Sequence, residues 1–106
     1  MISDKRVEDA LEYQIRTAKH YGEICGLVEL RAHNIKTFRA LAFLETEGTV
    51  AERDAVAQTD TRVKNAITEY QNAVAERMEI RTLLKAGELA IEVWRTQSAS
   101  NRAKML

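Results

Sequence analysis

Two long stretches of helix-forming sequence, separated by one short interruption, constrain this chain more than any other feature. The 106 residues include no proline and only four glycines. Proline is the residue that breaks a helix most strongly, so its absence permits helices of unusual length. Only 6% of the residues are aromatic, while 45% are apolar. This profile is typical of a chain that is almost wholly helical, and we predict an all-α protein.

In the first stretch, apolar or small residues recur at alternating steps of four and three, which is the heptad pattern of a helix that packs along one seam. The predicted seam positions are Val7, Leu11, Ala18, Tyr21, Cys25, Val28, Ala32, Ile35 and Ala42, with polar Gln14 and Arg39 at the two remaining places. Ser3 or Asp4 can cap the start of the helix. Since no breaking residue precedes Gly48 except two isolated glycines, we predict the first helix over residues 4 to 46.

The two isolated glycines, Gly22 and Gly26, fall on one helical face with Ala18. Each interior glycine costs about 1 kcal/mol relative to alanine. We interpret this face as one that a packed helix approaches closely. A flexible kink is the alternative.

The interruption is the segment "LETEGTVAERDA", residues 44 to 55. Gly48 suits the left-handed position that follows a helix. Thr49 and Glu52 form the S/T-x-x-E pattern of a capping box, which starts a new helix. We therefore predict a short helix from Thr49 to about Gln58, followed by Thr59 or Asp60 as the cap of another helix.

The second long stretch repeats the heptad pattern and predicts a helix over about residues 60 to 98 or beyond. Its seam positions are Val63, Ala66, Tyr70, Ala73, Ile80, Leu84, Gly87, Ile91 and Trp94, with Arg77 as the charged member.

Two long helices joined by a short capped connector favour an antiparallel hairpin. We predict a single hairpin domain over residues 1–106. Each apolar stripe is too wide for one partner helix, so the pattern also predicts self-association into a helical bundle or ring.

The net charge is zero, because sixteen Lys and Arg balance sixteen Asp and Glu. The charges are nevertheless arranged locally. Five basic residues against two acidic ones lie in residues 16 to 39: Arg16, Lys19, Arg31, Lys36 and Arg39. Five acidic residues against Arg53 lie in residues 40 to 60: Glu45, Glu47, Glu52, Asp54 and Asp60. Farther on, Arg77, Arg81 and Lys85 follow at i, i+4 and i+8. These charges form either a solvated helical surface or a face that contacts phosphates.

The residue patterns of catalytic and metal sites are missing. His20, Cys25 and His33 are too dispersed for a zinc finger, and the isolated glycines form no phosphate-binding loop. We expect no enzyme activity and no cofactor. The single cysteine and the lack of a signal peptide or a long apolar run favour a cytoplasmic protein that spans no membrane.

The segments "ALAFLETEGTVAERDAVA" and "LAIEVWRTQSASNRA" resemble small proteins associated with the recombination genes of tailed phages and prophages. More distantly, residues 28 to 104 are similar in layout to the UvsY family of recombination mediators of T4-type phages. The resemblance implies a homo-oligomer that binds single-stranded DNA and helps load a recombinase onto strands covered by single-strand binding protein. In that family, basic residues on the helix before the connector are tied to DNA binding, and Lys36 and Arg39 match them in character.

Three functional hypotheses follow from the sequence. In the first, a phage-type mediator neutralises phosphates with Lys36 and Arg39, supported by a second set of cations, while the acidic residues contact a recombinase or single-strand binding protein. That second set is Arg31, Arg77, Arg81 and Lys85, and the acidic partner-binding residues are Glu45, Glu47 and Glu52. The second hypothesis is a protein-interaction module, such as a phage factor that binds a host protein. The third is a structural coiled coil.

Overall fold

In a computed structural model, which describes residues 1–105, the chain is all-α. Helix α1 spans Asp4–Glu45, the short α2 spans Val50–Thr59, and α3 spans Thr61–Met105. The predicted fold class is confirmed, and the start of each helix lies within about one residue of its predicted position. No strand occurs within the part of the chain that the structure describes.

Polar side chains cap the first turns of α1 and α2. The Ser3 hydroxyl oxygen accepts a hydrogen bond from the Arg6 amide at 3.1 Å. The Thr49 hydroxyl oxygen accepts one from the Glu52 amide at 3.2 Å. Each cap satisfies one of the backbone N–H groups that have no partner inside the helix.

The helical backbone is interrupted at two places, residues 46–49 and Asp60. Gly48 has a φ of 125°, a conformation that side chains with a Cβ rarely adopt, so the turn after α1 requires glycine there. Asp60 is extended, with φ −63° and ψ 131°, and it separates α2 from α3. Its carboxylate accepts a hydrogen bond from the Arg62 amide at 2.8 Å, which caps α3.

The structure divides into two compact units. The first, here called the terminal unit, combines Met1–Gly22 with the chain from Met78 onward. Its two helical segments run antiparallel, as two hydrogen bonds show. The Ile2 amide donates to the Gln97 side-chain oxygen at 3.1 Å, and the Trp94 indole N–H donates to the Asp4 carboxylate at 2.8 Å.

The second unit, here called the connector unit, covers Glu23–Arg77 and contains the end of α1, all of α2 and the start of α3. Its long segments are also antiparallel, because the Arg31 guanidinium meets the Glu69 carboxylate at 3.0 Å while Arg62 meets Glu45 at 2.7 Å. Both units therefore show the hairpin pairing that the sequence predicts.

The buried core consists of small side chains. The buried apolar residues are Val7, Ala10, Ile24, Val28, Ala42, Ala57, Val63, Ala66, Ala73, Ile80 and Ala90. Six of these eleven are alanine and none is leucine, so the helices lie close together. Small side chains allow two helix backbones to approach, and larger apolar side chains beside the seam are left outside.

The heptad seam of α3 is confirmed, but part of the predicted seam of α1 is wrong. Positions at steps of seven from Val7 are buried or half-buried, as predicted. Of the intervening predicted positions, Cys25 and Ala32 are half-buried, but the other three are exposed, and the residue before each of those three is more buried. The intervening residues that lie in the interface are Ala10, Thr17, Ile24, Arg31 and Phe38. Of the predicted residues, Leu11 is 45% exposed, and Ala18 and Arg39 are also exposed. The contact passes through Ala10 because α3 presents Gly87 there.

Close approach occurs at Gly87 and not at the glycines of α1. A Cβ placed on Gly87 would lie 3.3 Å from the Cβ of Ala10. A Cβ on Gly22 or Gly26 would meet no atom within 4 Å, so within this chain the interpretation of a closely packed helix at those two positions is wrong. The face of α1 that carries them is open.

We predict that a larger side chain has opposite effects on the free energy of unfolding at the open glycines and at the packed glycine. Gly22→Ala and Gly26→Ala should each raise the free energy of unfolding by about 0.5–1 kcal/mol, because alanine favours the helix and meets no neighbour. Gly87→Val should lower it by about 1–3 kcal/mol, because the larger side chain forces α1 and α3 apart. Urea unfolding followed by circular dichroism in dilute solution measures both. Equal stability of Gly87→Val and wild type would contradict the close contact.

Candidate nucleic-acid interface

The candidate site lies in the connector unit, where α2 packs against the last turns of α1. The Arg53 side chain donates from Nε to the Phe43 carbonyl oxygen at 3.0 Å. That carbonyl is among the last four of α1, which have no partner within the helix. The Arg53 guanidinium also lies over the Phe43 ring, 4.2 Å from its centroid. Arg53 therefore caps α1 and holds α2 against it, and Ala57 of α2 is buried.

A shallow groove of about 280 Å³ opens beside this contact and is lined by Lys36, Arg39, Ala40, Phe43 and Asp54. Lys36 and Arg39 are three residues apart, so both project from the same face of α1. Both are exposed, and within residues 1–105 neither forms an ion pair. The structure thus brings together the two cations that the sequence singles out first.

Two cations of the supporting set lie in or beside the helix interface. Arg31 pairs with Glu69, and its side chain is only 28% exposed. Its Nε is buried and has no hydrogen-bond partner. Arg77 occupies a seam position and is half-buried. Both residues are placed to stabilise helix packing, and they are less available to a phosphate than Lys36 and Arg39.

The other two supporting cations, Arg81 and Lys85, belong to the terminal unit. Both are exposed and lie one turn apart on α3. Lys85 also lines an apolar groove of about 620 Å³ that includes Leu11 and Leu89. The six predicted nucleic-acid contacts are therefore distributed over two units and differ in exposure.

The acidic residues near the connector are partly neutralised by Arg62. Its guanidinium donates two hydrogen bonds to the Glu45 carboxylate, at 2.7 and 3.3 Å, and two to the Asp60 carboxylate, at 3.1 Å each. Of the predicted partner-binding residues, Glu45 is therefore engaged within the chain. Glu47 is exposed and forms no ion pair within residues 1–105, while the Glu52 side chain lies against Gly48.

This ion cluster shifts the pKa values of its members. Hydrogen bonds from Arg62 lower the pKa of the Glu45 carboxyl and the pKa of the Asp60 carboxyl below their ordinary values. Hydrogen bonds to Asp60, and then those to Glu45, raise the pKa of the Arg62 guanidinium. The cluster links the end of α1 to the start of α3 and fixes the two ends of the connector.

Three residues of the groove region were not among the predicted site residues: Phe43, Arg53 and Asp54. Phe43 follows Lys36 by seven positions and Arg39 by four, so helical periodicity places it on the same face and identifies it from sequence. Arg53 and Asp54 reach the groove only through the packing of α2 on α1. No local pattern in the sequence specifies that packing.

Among residues 1–105, no three His, Cys, Asp or Glu side chains cluster closely enough to hold a metal ion. None of the helices in that range has an apolar stretch long enough to cross a lipid bilayer.

No known protein family, curated protein or solved structure matches the chain.

We predict that Arg62→Gln raises the pKa of Glu45 and Asp60 towards ordinary values, because it removes their main hydrogen-bond donor. A lowered pKa in the folded state stabilises the fold above the ordinary pKa, and this contribution is lost as the pH falls through the lowered value. Wild type should therefore lose stability more steeply than Arg62→Gln as the pH falls below the ordinary carboxyl range of about pH 4. Carboxyl-carbon NMR titration and urea unfolding measure the two effects.

Arg102→Gln, which removes one cation from the last turn of α3, is the matched control and should leave both carboxyl titrations unchanged. Ordinary pKa values for Glu45 and Asp60 in the wild-type protein would contradict the cluster.

Proposed function

We propose that this protein is a recombination-mediator-type accessory factor that binds single-stranded DNA as a homo-oligomer. The observation that carries the proposal is the groove at the α1–α2 contact, where Lys36 and Arg39 are exposed and unpaired within residues 1–105 beside the ring of Phe43. Cations that follow a backbone and an aromatic ring that stacks with bases are the two elements of single-strand binding.

One groove supplies only two cations, which gives weak binding by itself. In an oligomer the same groove repeats along or around the assembly, and a flexible strand can occupy several copies at once. Linked weak contacts of this kind raise the overall affinity by orders of magnitude. Self-association is therefore part of the proposed function and not an addition to it.

The amount of exposed surface supports self-association. The chain exposes 7855 Å² at a mass of 12.0 kDa. Monomeric proteins of this mass expose about 6,000 Å². The excess of about 1,900 Å² per chain is in the range that one subunit of an obligate homodimer buries. A second copy would remove surface of this size from water.

The composition of the exposed surface supports the same conclusion. While alanines fill the core, larger apolar side chains lie outside it. Exposed apolar residues of the terminal unit are Leu11, Ile15, Met78, Leu83, Leu89 and Val93, and those of the connector unit are Leu30, Leu41, Leu44, Val50 and Val56. Leu11 and Leu89 line one groove, and a contiguous apolar surface of this kind is typical of a site that another chain covers.

Recombinase loading is the part of the proposal that requires a protein partner. Glu47 and Glu52 are the predicted partner-binding residues that Arg62 does not engage. They offer a small acidic surface at the turn between α1 and α2 to a recombinase or to single-strand binding protein. The exposed apolar surface also favours the alternative of a structural coiled coil, in which assembly is the whole activity.

We predict that the protein binds single-stranded oligonucleotides with an affinity that falls steeply with salt concentration. The Lys36→Ala, Arg39→Ala double variant should bind at least about tenfold more weakly. The slope of log affinity against log salt concentration should become shallower by about 1.4 for each subunit engaged, because each subunit loses two phosphate contacts. Fluorescence anisotropy over a range of salt concentrations measures both quantities.

The Lys19→Ala, Lys64→Ala double variant is the matched control, since it removes the same charge from two exposed positions outside the groove. It should bind almost as tightly as wild type. Equal losses in the two double variants would contradict the groove. No binding by wild type at low salt would favour the structural coiled coil or the protein-interaction module.

We also predict that at micromolar concentration the protein forms assemblies whose mass is well above the 12.0 kDa of one chain. Leu11→Glu combined with Leu89→Glu should lower that mass, because both residues line the apolar groove of the terminal unit and a charge there opposes burial. Gln71→Glu combined with Asn72→Glu adds the same charge at exposed polar positions and should leave the mass unchanged. Light scattering after size-exclusion chromatography measures it. A wild-type monomer would contradict self-association.

A further inference from the structure

We propose that the groove holds one unpaired nucleotide and distinguishes among the bases. In this arrangement Lys36 and Arg39 bind the phosphate, the Phe43 ring stacks on the base, and the Asp54 carboxylate accepts a hydrogen bond from the Watson–Crick edge. This inference rests on the proposed function and deepens it, because it names which chemical groups of the strand are recognised.

The Phe43 ring is held in a fixed position at the groove. The Arg53 guanidinium covers one face of the ring at 4.2 Å from its centroid, and the hydrogen bond from Arg53 to the Phe43 carbonyl holds this arrangement in place. The ring also lines the groove, so it presents further surface there. A fixed ring costs little conformational entropy on binding, which favours stacking with a base.

The groove is a shallow, open depression of about 280 Å³. A base can lie against the Phe43 ring there only if one of its own faces is free. A base pair held within a duplex cannot enter, because its faces are covered by its neighbours.

Asp54 gives the groove its chemical preference. It lines the side of the groove formed by α2, is exposed, and forms no ion pair within residues 1–105. An ionised carboxylate only accepts hydrogen bonds, and it repels a phosphate. The phosphate is therefore directed to Lys36 and Arg39, and the carboxylate is left for an N–H group of the base.

This arrangement favours bases with an exocyclic amino group. Cytosine presents an amino group on the edge that Asp54 would meet, whereas thymine presents carbonyl oxygens on both sides of its single N–H. In a duplex these donors are already paired. The groove should therefore prefer an unpaired strand over a duplex and cytosine over thymine.

The test compares short oligodeoxycytidine with oligodeoxythymidine of equal length, so that charge and ring size are matched. Wild type should bind the cytidine strand about five-fold more tightly, which is the effect of one hydrogen bond. Asp54→Ala should remove this preference and bind the thymidine strand at least as tightly as wild type. Equal binding of both strands by wild type would overturn the assignment of Asp54.

Stacking is tested with a strand that carries the fluorescent base 2-aminopurine. Binding to wild type should quench its fluorescence, and Phe43→Leu should abolish the quenching and weaken binding of both homopolymers about tenfold. Phe43→Tyr keeps an aromatic ring and should behave as wild type. It also keeps the ring contact with Arg53, so it controls for the change of residue at position 43.

The outcomes separate this inference from the proposed function. If the Lys36→Ala, Arg39→Ala variant loses binding while Phe43→Leu and Asp54→Ala behave as wild type, the nucleotide site is wrong and the cationic groove stands. If wild type binds no oligonucleotide at low salt, both proposals fail.

Discussion

The close approach of α1 and α3 is the constraint on which the rest of the structure depends. Ala10 meets Gly87 where the helices of the terminal unit are nearest, and alanines supply most of the core in both units. A narrow seam of small side chains has little apolar volume to bury, so it contributes less to stability than a core of leucines would. The leucines instead lie outside, where a further copy of the chain can cover them. The narrow seam and the proposed self-association thus have the same cause, because the small side chains at the α1–α3 contact leave the larger apolar residues outside it.

In the connector unit, the short helix α2 changes which groups at the end of α1 are exposed. Arg53 of α2 donates to the Phe43 carbonyl, which also accepts a hydrogen bond from the Thr46 amide, and it covers part of the Phe43 ring. Arg62 pairs with both Glu45 and Asp60. The negative charge of the connector is therefore partly neutralised by Arg62, and is smaller than the number of acidic residues indicates. What remains beside the packed arginines is a small groove with separated positive and negative groups, which is the basis of the proposed nucleotide site.

The sequence predicted the elements better than it predicted their contacts. Helix bounds, the turn at Gly48 and the caps at Thr49 and Asp60 all follow from local residue chemistry, and the structure confirms them. The α3 seam was also predicted correctly. The α1 seam was wrong at Leu11 because Leu11 is the more apolar residue, while Ala10 is the one that fits against Gly87. Hydrophobicity ranks residues by their tendency to be buried, but shape decides which of two adjacent residues a close partner admits.

The sequence by itself determined that the chain is helical, where it turns and that its long helices form an antiparallel hairpin, because these depend on backbone conformation and on periodicity along one helix. The same periodicity placed Lys36 and Arg39 on one face. Only the tertiary structure decided that Arg31 is engaged with Glu69, that Glu45 is engaged with Arg62, and that Asp54 joins the two cations. These pairings join residues on different helices, and a distance between helices is set by how side chains interlock, which no single helix specifies.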